Sequence, residues 1–406
     1  MPKVWLTFFA VMFGVISFAS QGVSVLGDSL IDAVAMLPPR EARIAYLLGP
    51  KRCGAWQPLA TAVADPLAAA TKEDRKANLM IFARSWIDRP FVFRCGANAS
   101  QIISRRLARR NGSNAYLRSF ALDLENFCRM AQLTSGLGVT VQLGDGDLRF
   151  TPHQAPGGRI YTKARVISTR CGSLLPLSTN RLWAIDPSEG VSAHISSEIQ
   201  HPFGHYGLTS RNSIIQFTTL VPWGQKQGAF VWRGASTGYW HRGRHLRRHF
   251  VHTMSGTHNV RFTGVAAGRV LRFPCAADVF VCHPNHTGKA MSRMQVLQYK
   301  YALSLEGNDC ASNLKWLMAQ NSVVVMPQPR TETWLMEGLL RPWVHYVPLD
   351  DPTRADALLE WLETHESECM RIVRNANAWI QAIVQDLFGV VAPVMQSGTV
   401  QRTVRR

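Results

Sequence analysis

The sequence predicts an α/β protein organised around a parallel sheet with crossover helices, and three stretches carry that prediction. From 299 to 349 it reads YKYALSLEGNDCASNLKWLMAQNSVVVMPQPRTETWLMEGLLRPWVHYVPL. Within it, Tyr301 to Leu305 is a short apolar run that breaks at Gly307-Asn308-Asp309, and Ala311 to Gln320 repeats apolar residues at helical spacing. Ser322 to Met326 is β-branched and too short for a helix, Thr331 to Leu340 is again helical in period, and Val344 to Val347 is strand-like. The second stretch, GAFVW at 228 to 232, is an apolar strand that runs into the Gly-flanked loop Arg233 to Gly238. The third, GVTVQL at 138 to 143, is a strand that stops at Gly144-Asp145-Gly146-Asp147. Strands alternating with helices imply a sheet whose ligands sit at the carboxyl ends of its strands.

Taken in order, the chain begins with Met1-Pro2-Lys3 and an apolar run from Val4 to Ala19, which reads as a signal peptide or signal anchor with Ser17-Phe18-Ala19 as a cleavage site. The run is shorter than the roughly twenty residues of a bilayer span. A buried first helix is the other reading. Residues 20 to 130 are expected to be mainly helical, at Asp28 to Met36, Arg75 to Trp86, Gln101 to Arg110 and Tyr116 to Gln132. Strands are expected at Arg159 to Ile167 and Ser173 to Leu177, and a polar excursion runs from Pro187 to Asn212. A boundary near Pro222-Trp223 separates segment 131–225 from a nucleotide-binding segment, 226–395, which is followed by a basic tail at 396–406.

At 406 residues the chain has room for two domains, and a charged fraction of 18% excludes a disordered one. A formal charge of +18 favours polyanions, anionic surfaces or phosphorylated substrates. Eight cysteines without CxxC pairs suit disulfides and buried thiols equally. Cys282, His283 and His286 lack a second ligand pair beyond a lone Cys275, which argues against zinc. The sequons at Asn98, Asn111 and Asn285 are close to chance in number.

Two features carry chemistry. Asp145 and Asp147 stand on a loop just past a strand end, a place where catalytic groups are commonly mounted. Arg233-Gly234-Ala235-Ser236-Thr237-Gly238 has the form of a phosphate cradle, since exposed backbone N–H groups and a guanidinium fork both suit phosphate oxygens. The run YWHRGRHLRRHFV at 239 to 251 reads either as a solvated helix face or as an anion-binding surface.

WRGASTG at 232 to 238, YKYALSLEGNDCASNLKWLM at 299 to 318, SVVVM at 322 to 326 and EGLLRPWVHYVPL at 337 to 349 together resemble the CAP10-like glycosyltransferases, family 90, over roughly Val139 to Ala392. The resemblance implies a GT-B architecture, two Rossmann-like domains facing across a cleft, here with a helical N-terminal extension. Segment 131–225 would be the acceptor side and 226–395 the nucleotide-sugar side. It implies a UDP-sugar donor, glucose or xylose foremost, no bound metal or cofactor, and a protein or glycan acceptor. Asp145 would be the general base, with Asp147 as rival. Arg233, Gly234, Thr237 and Gly238 would contact the donor diphosphate, with Lys315 and Asn313 beside the Gly-Asn turn. Asn313 stands where the family often has arginine. The helix start at Ala311 to Asn313 would add N–H groups, and Glu337 or Glu332 would hold the ribose. The expected location is the secretory lumen or membrane, or a bacterial envelope, with possible N-terminal membrane attachment. Three alternatives remain: a metal-dependent GT-A enzyme using Asp145-Gly146-Asp147 as a DxD signature, a basic nucleic-acid-binding protein, and a silent lectin-like homologue.

Overall fold

A computed structural model describes residues 37–50, 91–95, 124, 128, 131–133, 137–142, 159–168, 170, 172–175, 221–235, 240–241, 244–263, 284–307 and 309–400. The apolar run 4–19, the helices expected before residue 116, most of 116–132, the excursion 187–212, Asp145 and Asp147, Thr237 and Gly238, Cys275, Cys282, His283 and the arginines after 401 lie outside the described residues. Among those described, no helix is long and apolar enough to cross a membrane.

The order begins with α1 (Arg40–Leu48), followed by β1 (Phe91–Arg94), β2 (Gly138–Val141), β3 (Tyr161–Thr162), β4 (Arg165–Val166) and β5 (Ser173–Leu174). Next come β6 (Gln227–Gly234), β7 (Trp240–His241), β8 (Arg244–His245), α2 (Leu246–Met254), β9 (Asn259–Thr263), β10 (Thr287–Gly288), α3 (Arg293–Val296) and β11 (Tyr299–Leu303). The chain then forms α4 (Leu314–Met318), β12 (Val323–Met326), β13 (Thr331–Glu332), β14 (Val347–Pro348), α5 (Ala355–Thr364), α6 (Glu366–Gln385), α7 (Leu387–Gln396) and β15 (Thr399–Val400).

The central sheet has six strands in the order β10-β9-β6-β11-β12-β14, and every pairing in it is parallel. Side chains alternate along its strands, so one face takes Tyr301, Leu303, Val323 and Val325 with Phe250 of α2 and Leu362 of α5. The other takes Ala302, Val324 and Met326 with Leu317 of α4 and Trp379 and Ile380 of α6. All four residues of β12 are buried, which is why Val-Val-Val-Met reads as one apolar run with no alternation. Pro348 is accommodated because β14 is an edge strand.

The smaller sheet runs β1-β2-β3-β5. Its β2, β3 and β5 pair in parallel, while β1 and β15 run antiparallel to β2. A disulfide joins Cys95 to Cys128, and Cys310 and Cys369 are free thiols. The C-terminal segment returns to this sheet: β15 pairs with Gly138 and Val139, the Tyr161 hydroxyl donates to the Val394 carbonyl, and Arg40 and Arg43 of α1 pair with Asp386 just before α7. The segment expected as a basic tail, 396–406, thus includes a paired strand at Thr399–Val400.

Two expected helices differ. Ala311 to Gln320 yields only the five-residue α4, because Asn313 is spent on the turn before it, its Nδ2 donating to Leu303 O at 2.8 Å. Thr331 to Leu340 is not an α-helix at all. Thr331 and Glu332 pair antiparallel with Val166 and Arg165, Met336 is left-handed (φ 58°), and only Glu337–Leu339 makes a 3₁₀ turn. The helical spacing there came from Trp334, Leu335, Met336 and Leu340, which are buried by tertiary packing.

The β4–β13 ladder is fixed by charge. Arg165 Nε donates to Glu332 Oε1 at 2.9 Å, with side chains 1% and 0% exposed, and Tyr46 OH donates to Glu332 Oε2 at 2.6 Å. The guanidinium also donates to the carbonyls of Tyr46, Leu47 and Gly172. Gly49 ends α1 at φ +64°, and a Cβ there would lie 2.6 Å from Arg165 Nη1. Replacing Glu332 by Gln strands the guanidinium in a dry site. We expect a loss of about 3–5 kcal/mol in chemical denaturation, against which a change under about 0.5 kcal/mol would show the pair to be dispensable.

Candidate active site

Strand order places the site. From β6 the chain passes through α2 to β9 on one side, and from β11 it passes through α4 to β12 on the other. The carboxyl ends of β6 and β11, adjacent strands whose connections diverge, therefore open a crevice of the kind that binds ligands in parallel sheets.

Arg247, in the first turn of α2, sits at this crevice and is buried. Its Nη1 donates to Ala235 O at 3.1 Å, just past β6, while Nη2 and Nε donate to Leu305 O at 2.9 and 3.3 Å, just past β11. The guanidinium carbon also lies 5.5 Å from the Trp232 ring centroid. Gly307 leaves room for this approach, since a Cβ there would lie 2.8 Å from Nη2 and push the guanidinium aside. One fixed cation thus bridges the two loops of the switch point. The Arg- and His-rich run was the only sequence signal for it.

Arg233 does different work. Its Nε donates to Lys289 O (3.1 Å), Nη1 to Trp232 O (2.8 Å) and Asn259 O (2.7 Å), and Nη2 to Asn259 Oδ1 (2.6 Å). Burial and the neighbouring Arg261 lower its pKa. The side chain staples β6 to β9 and to residue 289. Gly234 ends β6 opposite Phe262.

On the β11 side, the Ser304 hydroxyl donates to Asn313 Oδ1 at 3.2 Å, and Asn313 thereby closes the turn that leads into α4. With only five residues, α4 carries little macrodipole, so the expected N–H site at Ala311 to Asn313 gains nothing from it. Lys315 Nζ stands 3.6 Å from Glu337 Oε1 and 6.0 Å from the Trp334 ring centroid. Glu337 accepts from Thr333 N at 2.6 Å and from Thr333 Oγ1 at 2.8 Å, which fixes its carboxylate beside the lysine. Glu306 Oε1 accepts from Arg330 N, Thr331 N and Thr331 Oγ1 at 3.1, 2.8 and 2.6 Å, tying the loop after β12 to the loop after β11.

Both carboxylates considered for the ribose are therefore held by protein, Glu332 at the β4–β13 ladder and Glu337 at Lys315. The structure brings Arg247, Asn313 and Lys315 to the loops at the carboxyl ends of β6 and β11. Sequence reading missed Arg247 and Glu306. Among the described residues, no group of three His, Cys, Asp or Glu side chains is placed to hold a metal ion.

Such a sheet, parallel throughout and with charge gathered at its switch point, belongs to the open parallel α/β class. Residues 207–387, which include the whole six-stranded sheet, match the model of glycosyl transferase family 90. The matched segment, somewhat less than half of the chain, is thus similar to the family 90 glycosyltransferases. It begins after Asp145. The chain is 37% identical over 179 residues to an O-glucosyltransferase, LpsA, of Dichelobacter nodosus, covering 43% of this chain and 49% of that one. It is 29% identical over 100 residues to protein O-glucosyltransferase 3 of Rattus norvegicus, covering 24% and 19%. The chain thus spans about half of the first relative's length and less of the second's.

Arg247→Lys keeps the charge but loses the fork that spans two carbonyls. Hydrogen exchange at amides 304–307 should quicken by roughly tenfold, the equivalent of one lost hydrogen bond. Unchanged exchange there would show that the loops hold without it.

Proposed function

We propose that the chain transfers a hexose or pentose, glucose or xylose, from a UDP-sugar to a hydroxyl of a protein or glycan acceptor, inverting the anomeric centre without a metal. The observation that carries this reading is the switch-point crevice with its buried guanidinium, lying inside the family 90 region. Similarity to O-glucosyltransferases favours glucose. In this reading the six-stranded sheet is the donor domain of a GT-B pair, and the smaller sheet belongs to the acceptor side.

The reaction needs two kinds of group. Asp145 takes the proton of the acceptor hydroxyl as its oxygen attacks the anomeric carbon. The bond from that carbon to the diphosphate oxygen breaks, and its electron pair leaves with UDP. Negative charge grows on the leaving diphosphate, and fixed donors aimed there lower the barrier because they need no reorganisation. Arg247 and Lys315 fill that role, with Glu337 orienting Lys315 and Glu306 holding the loop. Arg233 secures β6 to β9 at the start of the Gly-flanked stretch 234–238. The Cys95–Cys128 disulfide supports an oxidising compartment, the secretory lumen or a bacterial envelope.

UDP release from a panel of UDP-sugars tests the proposal. Asp145→Asn should slow transfer by about 10²–10⁴-fold while UDP still binds. Asp147→Asn should leave the rate within a few-fold, and excess chelator should have no effect. Full activity in Asp145→Asn, or its abolition by chelator, would contradict this mechanism.

A further inference from the structure

A cation from the smaller sheet reaches the loop after β11. Lys163, in the turn between β3 and β4, places Nζ 2.9 Å from Asp309 Oδ2, with the two side chains 11% and 6% exposed. Asp309 lies between Gly307, which packs against Arg247, and Asn313, which leads to Lys315. Cys310 beside it feels four charges, those of Asp309, Lys315, Lys163 and Glu337, and burial with Asp309 pushes its thiol up to about 12. Two lysines and two carboxylates therefore gather around one half-buried thiol in the loop after β11. Each lysine rests on a carboxylate, Lys163 on Asp309 and Lys315 on Glu337.

The two pairs are not equivalent. Glu337 is further held by Thr333, and its pair lies within the donor-side segment. The Lys163–Asp309 pair instead crosses from one sheet to the other. A lysine ammonium is a compact charge on a flexible stem, able to trade one oxyanion partner for another without the geometric demands of a guanidinium. A pair with so little water around it holds its charges together, and an arriving anion draws off the lysine by taking the place of the Asp309 carboxylate.

We propose that Lys163 is a second phosphate-binding cation of the donor site, kept in place by Asp309 until a nucleoside diphosphate arrives, so that this ion pair is a donor-responsive latch between the two sheets. The latch rests on the transferase reading above. Donor binding shifts Lys163 from Asp309 to the diphosphate and so adds a smaller-sheet contact to a site otherwise built from the larger one. Loss of the diphosphate with the product returns Lys163 to Asp309.

Calorimetric titration of the full chain with UDP and with uridine tests this. Lys163→Met should weaken UDP roughly ten- to hundredfold, the value of one charge-assisted contact, and leave uridine within about twofold. Lys163→Arg should keep UDP binding. Asp309→Asn should hold or raise UDP affinity, because the competing carboxylate is gone. The Lys163→Met/Asp309→Asn double variant leaves no charge orphaned, and it should match Lys163→Met while melting near the wild type. Parallel losses of UDP and uridine, or a loss in Asp309→Asn as large as in Lys163→Met, would make the pair a structural clamp and overturn the latch. Wild-type UDP binding that Lys163→Met leaves unchanged overturns the latch alone. A wild-type chain that binds neither probe overturns the donor reading as well.

Discussion

The buried ion pair between Arg165 and Glu332 is the constraint on which the rest of the site depends. Neither ion has water to fall back on, so each is stable only against the other and against Tyr46 and the carbonyls around the guanidinium. That requirement forces Thr331 and Glu332 into an extended ladder with β4, where their local spacing would otherwise favour a helix. Once the ladder is set, Thr333 stands where its N–H and hydroxyl hold Glu337, and Glu337 stands beside Lys315. A charge pair at the meeting of two sheets thus fixes a lysine one loop away.

The parallel sheet supplies the other half of the site. Its β-branched central strands are buried on both faces and leave backbone loops only at the strand ends, and strand order makes the loops after β6 and β11 neighbours. Arg247 turns that neighbourhood into a charged crevice by holding a carbonyl of each loop. Glu306 repeats the device one loop further on, accepting from the segment that leads into β13. The crevice is therefore assembled from side chains bonded to backbone, an arrangement that keeps charge in place without needing a bound ligand.

Much of this was legible in the sequence. The strands at 138–141, 227–234, 299–303 and 323–326 follow from short apolar or β-branched runs bounded by turn residues, and the family resemblance followed from motifs at their ends. Residues 331–340 were misread because burial by tertiary contacts can imitate a helical period, and a two-residue strand whose Glu332 meets Arg165, 167 positions away, leaves no local trace. The roles of the two arginines were also beyond local reading. Arg233 stands at the end of β6 and Arg247 in the basic run that follows, and only the fold shows that one staples β6 to β9 while the other faces the switch point. Asn313 shows the same limit: its position invites a ligand contact, and its amide is spent on the turn.

A structure of the full chain with bound UDP is the most direct test of the account. The diphosphate should lie at the carboxyl ends of β6 and β11, within hydrogen-bonding distance of Arg247 and Lys315, with the Arg165–Glu332 pair intact. A nucleotide bound at another edge of the sheet, or held by Arg233 with Arg247 and Lys315 untouched, would contradict it.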